Sequence, residues 1–414
     1  MANQRVVITG VGVVAPNGIG KEAFWQALMN GLSGVRPIRR YDTHLLGSRI
    51  GGEIASFDPL VYFEASDLKK MDLSNLYALA SAQMALEDSG LDLKSENLER
   101  FGSAVGNAIG GVDYVNHEID VSRKKGGRWV SPYTAIAFFS CGTNGLISIR
   151  FKFQGVILTL CNGNTSGTDA VGIAYRTVQS GRADVMLAGG TEAPLIPLFL
   201  GSLAKDGFLS TRNADPESAQ RPFDLGADGM VLGEGAALIV VESLEHARAR
   251  GARIYAEIIG YAGGNSAFDA LRPDPNGSGL ISTMRRAMQE GRIQPAEVDA
   301  IQGLGLSVRE YDDMEARCIQ ETFEESGQNP WVTAVSSHVG NSLGALGGFQ
   351  AISSVLSLTH QKVPALLNFE RGNPRYALRM ATPTHQPSRL DVLMQNAYCF
   401  LGKTSTLIFR RYVS

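Results

Sequence analysis

Leu158-Thr159-Leu160-Cys161-Asn162-Gly163-Asn164-Thr165-Ser166-Gly167-Thr168-Asp169-Ala170-Val171-Gly172 opens as an apolar, strand-like run and turns abruptly into a small-residue segment with helical spacing. Strand, tight turn and helix N-terminus in that order make a nucleophile elbow. The turn lifts one side chain into a pocket where backbone N–H groups and the positive end of the helix dipole can hold an anion. The apex, counted back from Ser166-Gly167-Thr168-Asp169-Ala170, is Asn164. Its amide is not a nucleophile and offers no proton that a nearby base could usefully take.

The flanking chain alternates in the same way. Residues 5–14 form an apolar, β-branched run ending at Ala15-Pro16-Asn17-Gly18, and 21–32 follow with helical spacing. Residues 74–90 read as an Ala-rich helix with Ser74 as N-cap and Gly90 as stop, and 102–106 as a buried strand breaking at Gly110-Gly111. The elbow helix spans 168–180, a strand spans 184–188, and a strand over 236–242 leads to a helix over 244–250 that Gly251 ends. A second series begins with a strand at 254–261, continues through helices at 281–290, 314–324 and 348–358, and closes with a strand at 404–409. Strands alternating with helices point to an α/β layered fold with buried sheets. The division falls near residue 250, giving halves 1–250 and 251–414. No Pro-, Gly- or Ser-rich linker marks it, so the halves are expected to share an interface. No internal repeat shows in the residues themselves.

The chain has 414 residues, 44% hydrophobic and 19% charged, enough for an ample core. Its formal net charge of −3, with Lys and Arg scattered, argues against a nucleic-acid surface, which needs a concentrated basic face. Arg123-Lys124-Lys125 with Arg128 is the local exception and reads as a solvated loop, with contact to an acidic partner as the alternative. Cys141, Cys161, Cys318 and Cys399 lack short paired spacing, so they make neither a disulfide framework nor a zinc site, and a reducing cytoplasm is the natural home. No basic and apolar leader and no run of membrane-spanning length are present, so neither export nor a membrane partner is expected. Gly10-x-Gly12 ends the first strand without the third glycine and following acidic residue of a dinucleotide fingerprint, and no cofactor is expected.

Further motifs accompany the elbow in order. They are Val6-Val7-Ile8-Thr9-Gly10-Val11-Gly12, Ala183-Asp184-Val185-Met186-Leu187-Ala188-Gly189-Gly190-Thr191-Glu192, Leu209-Ser210-Thr211-Arg212-Asn213, and Arg221-Pro222-Phe223-Asp224 leading to Gly229-Met230-Val231-Leu232-Gly233-Glu234-Gly235. On these motifs nearly the whole chain resembles the β-ketoacyl synthases, the condensing enzymes of fatty acid and polyketide synthesis. The resemblance implies an α/β fold of the thiolase type, with two similar βαβαβαββ halves in a five-layered αβαβα arrangement. Active members carry a Cys at the elbow apex to accept the acyl chain. Two His, one in a His-Gly-Thr-type turn and one closing a Lys-Ser-x-x-Gly-His run, drive decarboxylation of the malonyl unit and stabilise the resulting charge. In this chain the first His position falls in Val298-Asp299-Ala300-Ile301-Gln302-Gly303-Leu304-Gly305-Leu306-Ser307 and is Leu304, with Asp312 and Glu315-Ala316 holding the register. The second falls in Ser336-Ser337-His338-Val339-Gly340-Asn341-Ser342-Leu343-Gly344-Ala345, where Asn341 replaces the His and Ser336 the Lys. All four reactive positions are changed on a legible scaffold, which resembles the chain-length factor, the noncatalytic ketosynthase-like subunit of type II polyketide synthases.

That resemblance implies a heterodimer with a homologous catalytic ketosynthase subunit, served by an acyl carrier protein. It implies that Val156, Ile157, Leu158, Thr159 and Leu160 continue a sheet into the partner, with Tyr133 nearby. Ile109, Val112, Tyr114 and Val115 then line the tunnel and set chain length, with Tyr114 supplying the most bulk. Cys399, Phe400 and Leu401 fall on the Gly-Phe-Gly-Gly gate of active relatives, and loss of its glycines is expected to deny the loop positive-φ geometry and stiffen it. Cys161 reads as a buried apolar thiol and His338 as a packing residue rather than as displaced catalytic groups. The competing readings are an active condensing enzyme with an unusual site and a nonenzymatic acyl-binding scaffold.

Overall fold

The computed structural model describes residues 3–413, in which five strands from each half of the chain, with one two-residue strand added to each half (Gly18–Ile19 and Arg379–Met380), join edge to edge in one sheet. The first half supplies β1 (Val6–Ala15), β2 (Phe101–Gly106), β3 (Ile157–Leu160), β4 (Val185–Glu192) and β5 (Gly235–Ser243). The second supplies β6 (Ala256–Asn265), β7 (Ala300–Gln302), β8 (Trp331–Thr333), β9 (Val392–Tyr398) and β10 (Lys403–Arg411). Their spatial orders are β3-β2-β4-β5-β1 and β8-β7-β9-β10-β6. Counted within its own half, each order is 3-2-4-5-1. In each half the fifth strand runs antiparallel to both neighbours while the second pairs in parallel with the third and fourth. The repeat that the residues conceal is therefore explicit in the topology, as the thiolase fold requires. The two first strands join antiparallel, with Val6 opposite Ile258 and Ile8 opposite Ala256.

β1 shows why the sequence forms a buried strand. All ten residues are buried, most are apolar, and a bulge between Ile8 and Gly10 shifts the period-two pattern. Val6 and Ile8 before the bulge, and Val11, Val13 and Ala15 after it, consequently belong to one core cluster. On the other face of this half-sheet lies α1 (Leu73–Ser89), whose buried Leu76, Ala78, Leu79, Ala82 and Leu86 meet Val14, Leu238 and Val240. Between the two halves lie α3 (Ser166–Gln179) and α6 (Leu346–His360). Their first turns touch backbone to backbone: a Cβ on Gly347 would stand 2.2 Å from the Thr168 nitrogen, so only glycine permits the approach. The outer layer of the second half comprises α4 (Ser278–Gly291) and α5 (Arg309–Phe323).

Two local expectations are corrected. Asp72, not Ser74, caps α1, its Oδ1 accepting the Ser74 N–H at 2.9 Å. Arg123, Lys124 and Lys125 form the last turn of α2 (Val112–Lys125) rather than a loop, a placement that the negative end of the helix dipole favours. Among the described residues no helix is long and apolar enough to cross a membrane.

Candidate functional site

β3 delivers the chain to a single turn, Gly163–Thr165, and α3 begins at Ser166. Gly163 takes φ +64°, and the Asn162 N–H donates to Ser166 Oγ at 2.8 Å, closing the turn. Asp169, one turn into α3, accepts from Asn162 Nδ2, Thr165 Oγ1 and the Tyr261 hydroxyl at 2.9, 2.9 and 3.0 Å. The elbow is thus fully built around Asn164, which is 4% exposed.

The space beside the apex is already filled from the gate segment. The Asn164 N–H donates to Cys399 Sγ at 3.3 Å, and a Cβ on Gly163 would meet that sulfur at 2.2 Å. Burial raises the pKa of the Cys399 thiol, which keeps it protonated and unreactive. The gate corrects one expectation: Leu401 does adopt the left-handed conformation, φ +65°. Tertiary bonds hold it there against a steric cost of roughly 1–2 kcal/mol. The Leu401 N–H donates to the Ala270 carbonyl at 2.8 Å, and the Leu401 carbonyl accepts from Asn265 Nδ2 at 2.9 Å.

Hydrogen bonds, with the Tyr398-Cys399 peptide between them, connect the surroundings of Asn164, Leu304 and Ser336, while Asn341 is held separately. Next to Cys399, the Tyr398 hydroxyl donates to Glu315 Oε2 at 3.1 Å, and Glu315 accepts the N–H groups of Leu304 and Gly305, each at 3.1 Å. The Gly305 carbonyl accepts from Ser336 Oγ at 2.6 Å. Asn341 accepts the Leu343 N–H and donates through Nδ2 to Met230 Sδ, each at 3.1 Å. Leu304, Ser336 and Asn341 are essentially unexposed. At each of the four positions proposed from the motifs the side chain packs or bonds within the protein. None is a free acid, base or nucleophile.

His338 behaves as expected of a packing residue. It is fully buried, Nδ1 lies 3.1 Å from Ser337 Oγ, and burial lowers its pKa to about 4, so it is neutral. Cys161 does not behave as expected. It is exposed, because β3 is the outermost strand at its end of the sheet, and its thiol pKa is raised. The tunnel candidates begin α2: Val112, Tyr114 and Val115 are half-buried, and the Tyr114 hydroxyl lies 2.8 Å from Ser131 Oγ and 3.0 Å from the Lys69 carbonyl.

Sequence reasoning gave no role to three buried carboxyls that hold the site's loops. Asp312 and Glu315, one turn apart on α5, receive the N–H groups of residues 304–307, and Asp312 also receives that of Phe223. Glu192 closes β4. Desolvation outweighs the backbone N–H donors and pushes Glu192 and Glu315 up to about 7 and Asp312 to about 8. A carboxyl whose folded pKa is raised holds its proton better in the native state, so its contribution to stability is complete below the unfolded pKa and lost as pH rises through the folded one. His246, raised by Glu242 and Glu96 against its own desolvation, adds the same sign. The melting temperature should therefore fall between pH 6 and pH 8.5, and Asp312→Asn should flatten the fall. A melting temperature that rises across this range contradicts the assignment.

A doubled 3-2-4-5-1 sheet with an elbow whose helix α3 meets the first turn of α6 defines a thiolase-fold ketosynthase. Family models agree: residues 3–247 match "Beta-ketoacyl synthase, N-terminal domain" and 255–370 match "Beta-ketoacyl synthase, C-terminal domain". The chain belongs to the beta-ketoacyl synthase family. It is 38% identical over 411 residues to 3-oxoacyl-[acyl-carrier-protein] synthase 2 of Coxiella burnetii, covering 99% of both chains. It is 36% identical over 412 residues to putative polyketide beta-ketoacyl synthase 1 of Streptomyces cyaneus, covering 98% of this chain and 97% of that one. Among solved structures, the ishigamide ketosynthase/chain length factor superposes with a TM-score of 0.92 at 28% identity over the full length of both chains.

Proposed function

We propose that this chain is the noncatalytic chain-length-factor subunit of a type II polyketide synthase. It pairs with an active ketosynthase and shapes the tunnel into which the product grows. The observation that carries the reading is the combined replacement of Cys, both His and Lys by Asn164, Leu304, Asn341 and Ser336 on a complete elbow. Decarboxylative condensation needs a nucleophile and donors aimed at a developing enolate. Here the apex is an amide, and Leu304 offers no side-chain donor. The reading places the pair and its acyl carrier protein in the cytoplasm, with no cofactor. It treats 1–250 and 251–414 as the N-terminal and C-terminal ketosynthase-like halves of one chain.

The free edge of β3 supports pairing. Around it stand Leu158 at 40% exposure and, on the segment beside the Gly110-Gly111 turn, Tyr133, Ile136, Phe138 and Phe139, the last two more than 60% exposed. An apolar face next to an open strand needs a cover. A second reading, an active 3-oxoacyl synthase with an atypical site, is favoured by the name of the Coxiella relative. Co-expression with a Cys-His-His ketosynthase decides between them: polyketide formed only by the pair supports the first, and condensation by this chain alone supports the second.

Chain length supplies a sharper test. Ile109, Val112, Tyr114 and Val115 are the residues assigned to the tunnel wall. Each added two-carbon unit gains roughly 1.6 kcal/mol of burial at about 0.8 kcal/mol per methylene. Tyr114→Ala is expected to lengthen the product by a unit and Val112→Phe to shorten it. If instead Tyr114 serves only its own subunit, where its hydroxyl meets Ser131, truncation costs about 3–5 kcal/mol and lowers the yield without changing the product. Unchanged product profiles in both variants remove the tunnel assignment.

A further inference from the structure

Glu192 is the last residue of β4 and has no exposed surface. Its carboxylate accepts the N–H groups of Ala108, Ile109 and Gly110 at 2.6, 3.2 and 3.3 Å, and that of Gly344 at 3.1 Å. Gly110 takes φ +62°, which helps curl three successive N–H groups into a concave nest of the kind that holds anions. Here the acceptor is a carboxyl of the protein itself. The fourth donor, Gly344, lies just beyond Asn341, so one carboxylate ties the start of the tunnel segment to the turn that carries a lost catalytic position.

Its neighbours on the segment are anchored otherwise. The Asn107 N–H donates to the Leu160 carbonyl at 3.0 Å, and the Asn107 carbonyl accepts from Ser166 Oγ at 2.9 Å, fixing the segment's beginning to the elbow. At the far end the Tyr114 N–H donates to Asp72 Oδ2 at 3.2 Å. Between these anchors, Glu192 is the group from outside the segment that receives the backbone N–H groups of residues 108–110. Removing a buried acceptor leaves donors unsatisfied, and the backbone shifts to find water or another partner.

We infer that Glu192 is the positioning residue that fixes where the segment from Ile109 to Val115 stands in the tunnel wall, and so sets product length without touching the product. The inference rests on the chain-length reading. Glu192→Gln keeps the shape but turns an amide NH₂ toward N–H donors. Gly110→Ala disturbs the nest from its other side, since the left-handed backbone strains a methyl although its nearest neighbour, at 3.9 Å, leaves room for it.

The test is reconstitution of each variant with the catalytic partner and carrier protein, with product analysis and amide hydrogen exchange on the assembled pair. Both variants should shift or broaden product length, and exchange across 108–115 should quicken about tenfold. A wild-type pair that makes no polyketide would sink the chain-length reading itself. A productive wild-type pair with unchanged product profiles in both variants overturns the role of Glu192, even where exchange quickens. Should Glu192→Gln fail to assemble, Gly110→Ala alone decides by the same criterion.

Discussion

Returning a thiol to the elbow through Asn164→Cys is expected to leave condensation at background, at least about a thousandfold below an intact site. The elbow's scaffold would accept the thiol, since Gly163 and the Asp169 network already build the turn. Three things would still be missing. Leu304 cannot donate a side-chain hydrogen bond to an enolate. Asn341 spends its carbonyl on the Leu343 N–H and one N–H on Met230 Sδ. Cys399 Sγ already engages the Asn164 N–H, a group on which a developing oxyanion would draw. Adding Leu304→His and Asn341→His should raise decarboxylation above the single variant, and removing the plug with Cys399→Gly should raise it further. Turnover by Asn164→Cys alone within tenfold of a catalytic homologue would refute the assignment of those positions.

Thr159→Pro is expected to abolish co-purification with the catalytic partner while leaving the fold of the single chain in place. Val156 and Leu160 turn their carbonyls toward β2, accepting the N–H groups of Ser103 and Asn107 at 2.9 and 3.0 Å. By the alternation of a parallel ladder, the Thr159 N–H points outward from the sheet. Proline removes that donor and adds bulk where another strand would lie, while the ladder to β2 keeps its bonds. An interface of this kind buries on the order of 2,000 Å² or more, and left uncovered it draws non-native association. The wild-type chain expressed alone should therefore aggregate or give poor yields, and co-expression should rescue it. A monodisperse monomer at micromolar concentration, unimproved by co-expression, would defeat the prediction.

The sequence reading succeeded where one local pattern carries the structure. The apolar run of β1, the abrupt change at Cys161-Asn162-Gly163 and the glycine stops at Gly90 and Gly251 are encoded in successive residues, and they appear where expected. The duplication was illegible because it lies in the order of strand pairing, which unrelated side chains can satisfy equally well. Cys161 was misjudged because burial of an edge strand is decided by what lies beside it. Leu401 was misjudged because its hydrogen bonds to Ala270 and from Asn265, both distant in sequence, override its local preference. Glu192 was visible as the end of a motif, yet its four donors come from segments far apart in the chain. Asn164, Leu304, Asn341 and Ser336 were proposed as altered positions from residue identity alone.

The most direct measurement is the intact mass of both subunits of the reconstituted pair after incubation with malonyl- and acyl-carrier protein, with product formation followed in parallel. The account predicts an acyl adduct on the partner's elbow cysteine only, no adduct on this chain, and no condensation when this chain is supplied alone. An acyl thioester on this chain at Cys161 or Cys399, or condensation without the partner, would contradict it.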